Sequence, residues 1–421
     1  MTEAQGLTER DRPVRILLLT QYFWPETFPI TQLVRSLREA GSSVTVLTGP
    51  PNYPEGVTFD GYSALDVREQ QHDQGFTIYR VPAIPRGKAS AVRLIGNYLS
   101  FALSAAVFGP WLLRGKQFDV VFVYAPSPIL QAIPAIFIAR WKHASLVTWV
   151  QDLWPESLES TGFVRNRLIL KAVERMVAWI YRKNDLLLGQ SRAFVTPIGK
   201  LAGRVPVEYL PQPGDAAFGA SVTVSEPKLR LASGFNVLFA GNLGSVQALD
   251  TLLDAAELLR GEPHVRFVLV GSGSRSRWLE TEISRRGLTN VQLPGRYAPE
   301  DMVPILAQAS VLLVSLIRSP IMRQTIPGKL QAYLAAGRPI IAALDGEGAQ
   351  VLLESGGGLA VPAENAVALA DAVLQLRNAS DAERARMGEA GRRYFDRHLA
   401  ADVLARQLLA RLRELVLQRP S

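Results

Sequence analysis

Residues 235–259 read FNVLFAGNLGSVQALDTLLDAAELL and hold three segments in the order typical of a nucleotide-binding α/β half. Phe235 to Ala240 predicts a buried strand, Gly241 to Gly244 a polar glycine loop, and about Leu249 to Leu259 an apolar-periodic helix. The same order begins near the N-terminus with the predicted strand Arg15 to Thr20. Parallel sheets bind ligands at the carboxyl ends of their strands, so two such halves facing each other predict one deep cleft.

Short β-rich runs alternate with helical patterns along the whole chain, which indicates an α/β fold with two Rossmann-like, doubly wound parallel-sheet domains. The predicted strands of the first half are Arg15 to Thr20, Ser43 to Thr48, Thr77 to Val81, Asp119 to Tyr124, Ser145 to Val150 and Asp185 to Leu188. Those of the second half are Phe235 to Ala240, Val265 to Val270, Asn290 to Leu293, Val311 to Ser315, Pro339 to Ala343 and Leu359 to Val361.

The domain boundaries follow from length and from breaks in this pattern. A chain of 421 residues exceeds what one hydrophobic core usually organises, so two domains are expected. Proline and glycine interrupt the pattern from Pro211 to Gly214, and a polar stretch follows. The predicted divisions are an N-terminal domain at 1–212, a linker at 213–233, a C-terminal domain at 234–398 and a closing helix at 399–421.

Composition narrows the classes of partner. The excess of 46 Lys and Arg over 38 Asp and Glu gives a net charge of +8, which favours sugar nucleotides, phospholipid headgroups or nucleic acid. The absence of an RNA-stacking signature or a basic nucleic-acid helix argues against nucleic acid. Zero cysteines exclude disulfides and thiolate metal sites, and four His without a spaced pair predict no metal site.

The N-terminal residues Met1 to Pro13 lack the apolar core of a secretory signal, so we expect a cytoplasmic protein. Leu94 to Leu113 contains no Asp, Glu, Lys, Arg or His, and basic residues flank it on both sides. It is long enough to span a bilayer, but a strand follows almost at once, which disfavours spanning. A buried helix and a helix in the membrane interface remain as alternatives.

Aromatic residues flank a carboxylate in two loops after predicted strands of the first half, Gln21 to Thr27 and Gln151 to Ser157. Aromatic rings stack on sugar faces and carboxylates accept hydrogen bonds from hydroxyls, so both loops suit a hydroxyl-rich ligand. Trp-Pro-Glu is also a good helix start, and for Glu156 this structural interpretation is preferred. Asp152 and Glu26 are the predicted functional carboxylates.

The loops of the second half suit a phosphate group. Gly241 to Gly244 lets backbone N–H groups approach an anion at a helix N-terminus. Gly271 follows the next strand in a similar loop, for which a purely structural turn remains the alternative. Lys329 lies at a helix start, where a cation opposes the helix dipole, so an anion-binding role is predicted for it. Arg323 and Thr325 lie shortly before it and are further candidates.

The chain resembles glycosyltransferase family four, and within it the bacterial branch for colanic acid, capsule or O-antigen synthesis, which includes fucosamine transferases. The resemblance covers nearly all of the chain beyond about Val14, and its motifs are specific as a set. They are PNYPEG (Pro51 to Gly56), QDLWPES (Gln151 to Ser157), GNLGSVQALDTLLDAA (Gly241 to Ala256) and IPGKLQAYLAAGRPIIAALDGEGA (Ile326 to Ala349).

This resemblance implies a GT-B architecture, with the acceptor held mainly by the first domain and the donor mainly by the second. It also implies metal-independent transfer from a nucleotide diphosphate with retention of configuration. Charge on the departing diphosphate is then met by backbone N–H groups and cationic side chains such as Lys329. No cofactor is expected besides the nucleotide sugar as co-substrate.

The chain departs from the family pattern at two places. Asn242 and Gln247 stand where the family commonly has an Arg and a Lys for the diphosphate. Arg323 and Gln331 stand where it has paired glutamates. Gln331 can still hydrogen-bond a hydroxyl, and Arg323 could replace the missing phosphate charge.

Further site residues come from the same resemblance. The predicted donor-binding residues are Gly241, Asn242, Gly244, Gln247, Gly271, Arg296, Tyr297, Arg323, Thr325, Gln331 and Glu347, with Arg296 and Tyr297 near the nucleotide base. On the acceptor side, Glu26 and Gln151 are predicted to bind, and Gln151 replaces a His frequent in the family. Asp152 and Lys329 are the predicted catalytic residues, and no protein nucleophile is expected.

These features predict a glycosyltransferase that uses a UDP-linked N-acetylated amino- or deoxysugar and a lipid-linked or polysaccharide-precursor acceptor in surface polysaccharide synthesis. An acceptor on a polyprenyl diphosphate would favour a basic protein with an apolar segment, so peripheral association with the inner-membrane surface is expected. A GT-B sugar-nucleotide epimerase and a non-catalytic nucleotide-sugar-binding relative remain alternatives. A nicotinamide oxidoreductase is disfavoured, because neither glycine loop matches G-x-G-x-x-G with a following acidic residue.

Overall fold

The computed structural model describes residues 12–87, 91–160, 164, 166–214 and 226–419. The chain separates into two compact units: unit 1 comprises Met1–Pro213 and Ala401–Ser421, and unit 2 comprises Gly214–Ala400. Residues 215–225, part of the linker expected at 213–233, lie outside the described residues.

Unit 1 is built on one sheet. Its strands are β1 (Arg15–Leu19), β2 (Ser43–Thr48), β3 (Arg68–Gln71), β4 (Thr77–Arg80), β5 (Val120–Ala125), β6 (Ser145–Val150), β7 (Leu186–Gly189) and β8 (Val207–Tyr209). Within the described residues they pair in the order β3-β4-β2-β1-β5-β6-β7-β8. All of these pairs are parallel except the antiparallel β3 and β4.

Unit 2 holds a second, wholly parallel sheet. Its strands are β9 (Phe235–Ala240), β10 (Val265–Val270), β11 (Val291–Gly295), β12 (Val311–Ser315), β13 (Ile340–Ala343) and β14 (Gly358–Val361). They pair in the order β11-β10-β9-β12-β13-β14 among the residues that the structure describes. The carboxyl ends of β9, β10 and β12 therefore lie side by side, which positions their loops at one edge.

Helices cover both sheets. In unit 1 they are α1 (Pro29–Glu39), α2 (Ala91–Leu112), α3 (Ala132–Trp141), α4 (Glu156–Ser160), α5 (Arg167–Tyr181) and α6 (Arg192–Ala202). In unit 2 they are α7 (Leu249–Leu258), α8 (Ser276–Arg286), α9 (Met302–Leu306), α10 (Pro320–Gln324), α11 (Gly328–Ala336), α12 (Glu347–Ser355), α13 (Ala366–Asn378) and α14 (Asp381–His398). The segment expected to close the chain forms α15 (Ala401–Leu417).

The strands read as continuous apolar runs because helices cover both faces of each sheet. All six residues of β5, VVFVYA, are buried, as are all six of β6. In unit 1, α1 and α15 pack together on one side, where Leu33, Leu404 and Leu408 share a core with β1 and β5. In unit 2, α7 and α13 pack against the sheet in the same way.

Two strands do not follow from the hydrophobic pattern. β3 reads REQQ and is an edge strand paired only with β4, so its backbone hydrogen bonds and not buried side chains define it. β8 is only three residues long, VEY, and lies at the other edge. Short or polar edge strands lack the buried alternation on which strand prediction depends.

Helix α2 has one packed face and one exposed face. Asn97, Phe101 and Ala105 are fully buried, and the helix packs against α3. Val92–Leu112 is long and apolar enough to cross a membrane, but only 22% of its most apolar window is buried. The expectation of a buried helix is therefore correct for one face alone.

Candidate functional site

Two glycine loops meet at the carboxyl edge of the unit 2 sheet. Gly241 and Gly271 have φ of 140° and 141°, values that favour glycine. A Cβ on Gly271 would lie 1.9 Å from the Gly241 carbonyl oxygen. The Gly241 N–H donates to the Val270 carbonyl at 2.9 Å, and the Leu243 N–H donates to the Ser272 carbonyl at 3.0 Å. Close backbone contact thus fixes the shape of both loops.

Lys329, the second residue of α11, lies beside the first of these loops. Its Nζ donates to Gln247 Oε1 at 2.5 Å and lies 3.7 Å from the centre of the Phe239 ring. A Cβ on Gly241 would be 3.4 Å from the same Nζ. The structure therefore brings Lys329, a predicted catalytic residue, next to Gly241 and Gln247 of another motif, which are both predicted to bind the donor.

The surroundings of Lys329 disfavour its own charge. Desolvation by burial lowers the pKa of Lys329 to about 7. Within the described residues it forms no salt bridge with a carboxylate, and its hydrogen-bond partner is a neutral amide. An anionic ligand at this position would supply the missing counter-charge.

The backbone between Gln247 and α7 is strained. Ala248 has φ 47° and ψ 45°, a left-handed conformation that is uncommon for a residue with a side chain.

Tyr333 of α11 contacts the end of β9: its hydroxyl accepts from the Ala240 N–H at 2.7 Å and donates to the Ala240 carbonyl at 3.2 Å. Tyr333 was missed from the sequence because it reads as an ordinary apolar position of α11. The side chain of Asn242 packs against Gly244 of the same loop, since a Cβ on Gly244 would lie 2.7 Å from Asn242 Nδ2.

Arg323 lies in α10, which follows β12, and Glu347 is the first residue of α12, which follows β13. A Cβ on Gly346 would be 2.0 Å from the Arg323 carbonyl oxygen, so the start of α12 packs on α10. Arg323 and Arg318 line an open cavity of about 540 Å³ together with Asp345. Arg318 forms a salt bridge with Asp345 at 3.4 Å. This cavity combines cations with an acidic group near the predicted donor residues.

The remaining predicted donor residues occupy different surroundings. Thr325 uses its hydroxyl to donate to the Ile321 carbonyl at 3.0 Å, and Gln331 is buried in α11. Arg296 is exposed and Tyr297 half-buried directly after β11. The Gly271 N–H donates to the Gly295 carbonyl at 2.8 Å, which connects this segment to the glycine loops. The contacts of these residues with a donor remain predictions.

In unit 1, Asp152 follows β6 and lines a pocket with Ser127 and Ser157. The Ser157 hydroxyl donates to Asp152 Oδ1. Burial raises the pKa of Asp152, and its hydrogen bonds oppose that shift in part. Ser127 was missed from the sequence, although it follows β5, which pairs with β6, so the loops of both strands had to meet.

Gln151 belongs to a cluster of amides. Gln212 Nε2 donates to Gln151 Oε1, and Gln190 Nε2 donates to the Gln151 carbonyl at 2.5 Å. Gln151 Nε2 is buried and has no hydrogen-bond partner among the described residues. A free buried donor beside Asp152 suits a ligand with an acceptor oxygen.

Glu26 accepts hydrogen bonds from the backbone of the loop after β1 and of the PNYPEG loop. Its Oε1 accepts from the Asn52 and Tyr53 N–H groups at 2.8 and 2.7 Å, and its Oε2 accepts from the Phe23 N–H at 3.0 Å. Burial raises the pKa of Glu26 to about 7. These contacts join the loop after β1 to the PNYPEG loop, and direct binding of an acceptor by Glu26 remains a prediction.

Comparison with known proteins assigns each unit to a protein family. The profile named "Glycosyl transferase 4-like domain" matches residues 30–213, and the profile named "Glycosyl transferases group 1" matches residues 234–379. The chain is 24% identical over 323 residues to a protein of Escherichia coli strain K12 named a colanic acid biosynthesis glycosyl transferase, WcaI. That similarity covers 73% of this chain and 76% of the relative.

Solved structures share the fold at low sequence identity. Sucrose-phosphate synthase from Thermosynechococcus elongatus matches with a TM-score of 0.73 at 17% identity, covering 96% of this chain and all of that one (100%). Anabaena Alr3699/HepE, in complex with UDP, matches with a TM-score of 0.67 at 15% identity, covering 95% of this chain and 100% of that one.

Proposed function

The chain belongs to the glycosyltransferases of family four, with the GT-B fold, and on this basis we propose that it moves a sugar from a nucleoside diphosphate to an acceptor with retention of configuration and without a metal ion. Unit 2 binds the donor and unit 1 the acceptor. The donor is a UDP-linked N-acetylated amino- or deoxysugar, and the acceptor is a lipid-linked or polysaccharide precursor in surface polysaccharide synthesis. The relationship to WcaI, named for colanic acid biosynthesis, supports a polysaccharide precursor as acceptor, and the HepE complex with UDP supports a UDP-linked donor.

The observation that carries the proposal is the position of Lys329. Its ammonium lies against Gln247 and Gly241 at the edge where parallel strands bind ligands. Burial lowers the pKa of Lys329 to about 7, so the fold keeps a cation there at an energetic cost. A bound diphosphate would stabilise the ammonium form of Lys329 and offset the cost of its burial.

Lys329 and the amides of the Gly241 loop take the role that a divalent ion would otherwise fill. Charge develops on the leaving diphosphate in the transition state, and fixed donors stabilise it. Arg323 lines the neighbouring cavity and adds a second cation in place of a family glutamate. The missing phosphate-binding Arg and Lys of the glycine loop are thereby compensated from other loops.

Asp152 acts on the hydroxyl of the acceptor. The acceptor oxygen forms a bond to the anomeric carbon while the bond from that carbon to the diphosphate oxygen breaks, and the nucleoside diphosphate leaves. Asp152 orients the hydroxyl and accepts its proton, and burial raises the pKa of Asp152, which makes it a stronger base. Departure and attack on the same face retain the configuration without a protein nucleophile.

The exposed face of α2 supports peripheral binding at the cytoplasmic face of the membrane. Its exposed large apolar residues recur at helical spacing: Val92, Ile95, Leu99, Leu103, Val107 and Trp111. We call this the α2 stripe. Phe137 and Trp141 on the neighbouring α3 are also exposed, and exposed Arg93 and Arg114 flank the stripe. An apolar face with basic flanks matches the chemistry of an anionic bilayer surface.

Turnover with a panel of UDP-, GDP- and dTDP-sugars and lipid-linked acceptors tests the proposal. Lys329→Ala should lower kcat by about a hundredfold while the fold is retained, since one preorganised charge is lost. Lys228→Ala is the matched control, because Lys228 is the exposed partner of Asp301 in unit 2. Equal turnover of both variants, or turnover that requires added manganese after chelation, would contradict the proposal.

A further inference from the structure

The pocket that contains Asp152 is largely apolar. Its volume is about 380 Å³, within the range of roughly 300 to 1,000 Å³ that small-molecule pockets occupy. Its aliphatic lining comes from α2, the loop after β5 and the segment around α4: Leu94, Ile95, Leu99, Leu130, Leu158 and Val164. The reaction does not explain this lining, because a sugar would leave its hydroxyls there without partners.

The polar groups of the pocket gather around Asp152. Tyr98 and Ser127 line the same space, and the Tyr98 hydroxyl interacts with Ser127. Burial raises the pKa of Tyr98, and the positive charge of Arg86 opposes that shift. The charge of Arg86 thus acts on Tyr98 of the pocket, and the Arg86 guanidinium carbon lies 5.5 Å from the centre of the Tyr53 ring.

The pocket continues into the α2 stripe. Ile95 and Leu99 line it, and they are 47% and 46% exposed. Leu103, the next residue of the stripe, does not line it. A hydrocarbon chain lying along the stripe could therefore enter the pocket without leaving apolar surroundings, which favours insertion by about 25 cal/mol per Å² of apolar surface buried.

We propose that this pocket binds the hydrocarbon chain of a lipid-linked acceptor, with the adjoining phosphate facing Arg86 and the accepting hydroxyl facing Asp152. The inference rests on the proposed function and specifies its acceptor. Because the aliphatic wall and Asp152 share one small pocket, the accepting hydroxyl lies near the lipid, on a short head group. The reaction that supplies this acceptor must join a sugar to a lipid phosphate.

Titration of the full-length protein with farnesyl phosphate, without vesicles, tests this inference. Farnesyl phosphate should bind more tightly than octyl phosphate, and inorganic phosphate should not compete with it. Leu99→Asp should weaken farnesyl phosphate binding by about tenfold or more, because the carboxylate faces the chain. Leu168→Asp is the matched control, because Leu168 is an exposed leucine of α5 that lies in neither the pocket nor the α2 stripe, and this variant should bind as the wild type does.

A UDP titration of each protein separates the two proposals. Normal UDP binding in Leu99→Asp shows that its fold is intact. Equal farnesyl phosphate affinity in both aspartate variants, or no binding to a wild-type protein that binds UDP, would overturn the pocket assignment and leave the proposed donor site standing. A wild-type protein that binds farnesyl phosphate but no UDP or other sugar nucleotide would contradict the proposed function instead.

Discussion

At the residue scale, the role that we propose for Lys329 predicts that donor binding depends on pH. Burial lowers the pKa of Lys329 to about 7, so the free protein loses this charge as pH rises above neutrality. A bound diphosphate stabilises the ammonium and raises its pKa again. Binding must then take up a proton at alkaline pH.

We therefore expect UDP affinity to fall as pH rises from about 7 to 9, by up to about tenfold per pH unit. Isothermal titration in buffers of different ionisation enthalpy measures both the affinity and the proton uptake. Lys329→Met should bind weakly at every pH and show no such slope. A wild-type affinity that is flat over this range would exclude Lys329 from phosphate binding.

The role proposed for Asp152 predicts that the transfer rate falls at acidic pH. Burial raises the pKa of Asp152, so its basic form is lost as pH falls through that raised value, and the transfer rate should fall with it. Asp152→Asn cannot accept a proton and should reduce kcat by about a hundredfold or more, with unchanged UDP affinity.

Steady-state rates across pH check this expectation, with Glu159→Gln as the control, because Glu159 is an exposed carboxylate on the nearby α4. An Asp152→Asn enzyme with normal kcat and the same acid limb would show that another group handles the proton.

At the scale of elements, the contact between the two glycine loops shapes the donor site that we propose. Gly271→Ala would place a methyl group 1.9 Å from the Gly241 carbonyl oxygen at a φ of 141°. We expect the free energy of unfolding of unit 2 to fall by about 2 kcal/mol or more and UDP affinity to fall with it.

Gly261→Ala is the matched control, because no atom lies within 4 Å of its added Cβ and its φ is not in the left-handed region. It should change stability by less than about 0.5 kcal/mol. Denaturant unfolding compares the two variants, and equal stabilities would show that the loops are not held by this contact.

The α2 stripe makes the second prediction at this scale. Leu103→Asp combined with Val107→Asp should abolish flotation with phosphatidylglycerol vesicles, because both side chains are exposed by about two thirds, 66% and 67%. Leu258→Asp, at a 57% exposed position on α7, should float as the wild type does. A wild-type protein that stays out of the vesicle fraction, or a double variant that still floats, would contradict membrane binding through α2.

The elements that hydrophobic periodicity predicts are the ones with a buried face. The boundaries of β9 and β10, for example, coincide with the predicted strands, since both are apolar runs bounded by turn residues. The polar edge strand β3 has no such pattern and was missed. The exposed face of α2 could not be predicted either, because its buried and exposed sides are equally apolar in sequence.

The candidate site, too, could be predicted from the sequence only in part. Lys329 was identifiable because a cation at a helix start has no local stabilising role. Its contact with Gln247 was not, because the two residues are far apart in sequence and meet only when β9 and β12 pair. Tyr98 and Ser127 likewise join Asp152 only through the packing of α2 on the loop after β5.

At the scale of the whole molecule, we assign donor and acceptor binding to different units, and the chain returns to unit 1 at its end. Leu404, Leu408 and Leu412 of α15 are buried in the core of unit 1 together with α1. The C-terminal helix therefore completes the unit that we assign to the acceptor. Lys329 and the glycine loops lie wholly within unit 2, so donor binding can be tested on that unit's residues alone.

The most direct test of the central claim is a crystal structure of the protein bound to UDP in the presence of a chelator. The account predicts that the diphosphate lies within hydrogen-bond distance of Lys329 Nζ and of backbone N–H groups in the Gly241 loop, with no divalent ion beside it. A diphosphate bound elsewhere, or one bound only through a metal ion when the chelator is omitted, would contradict the account.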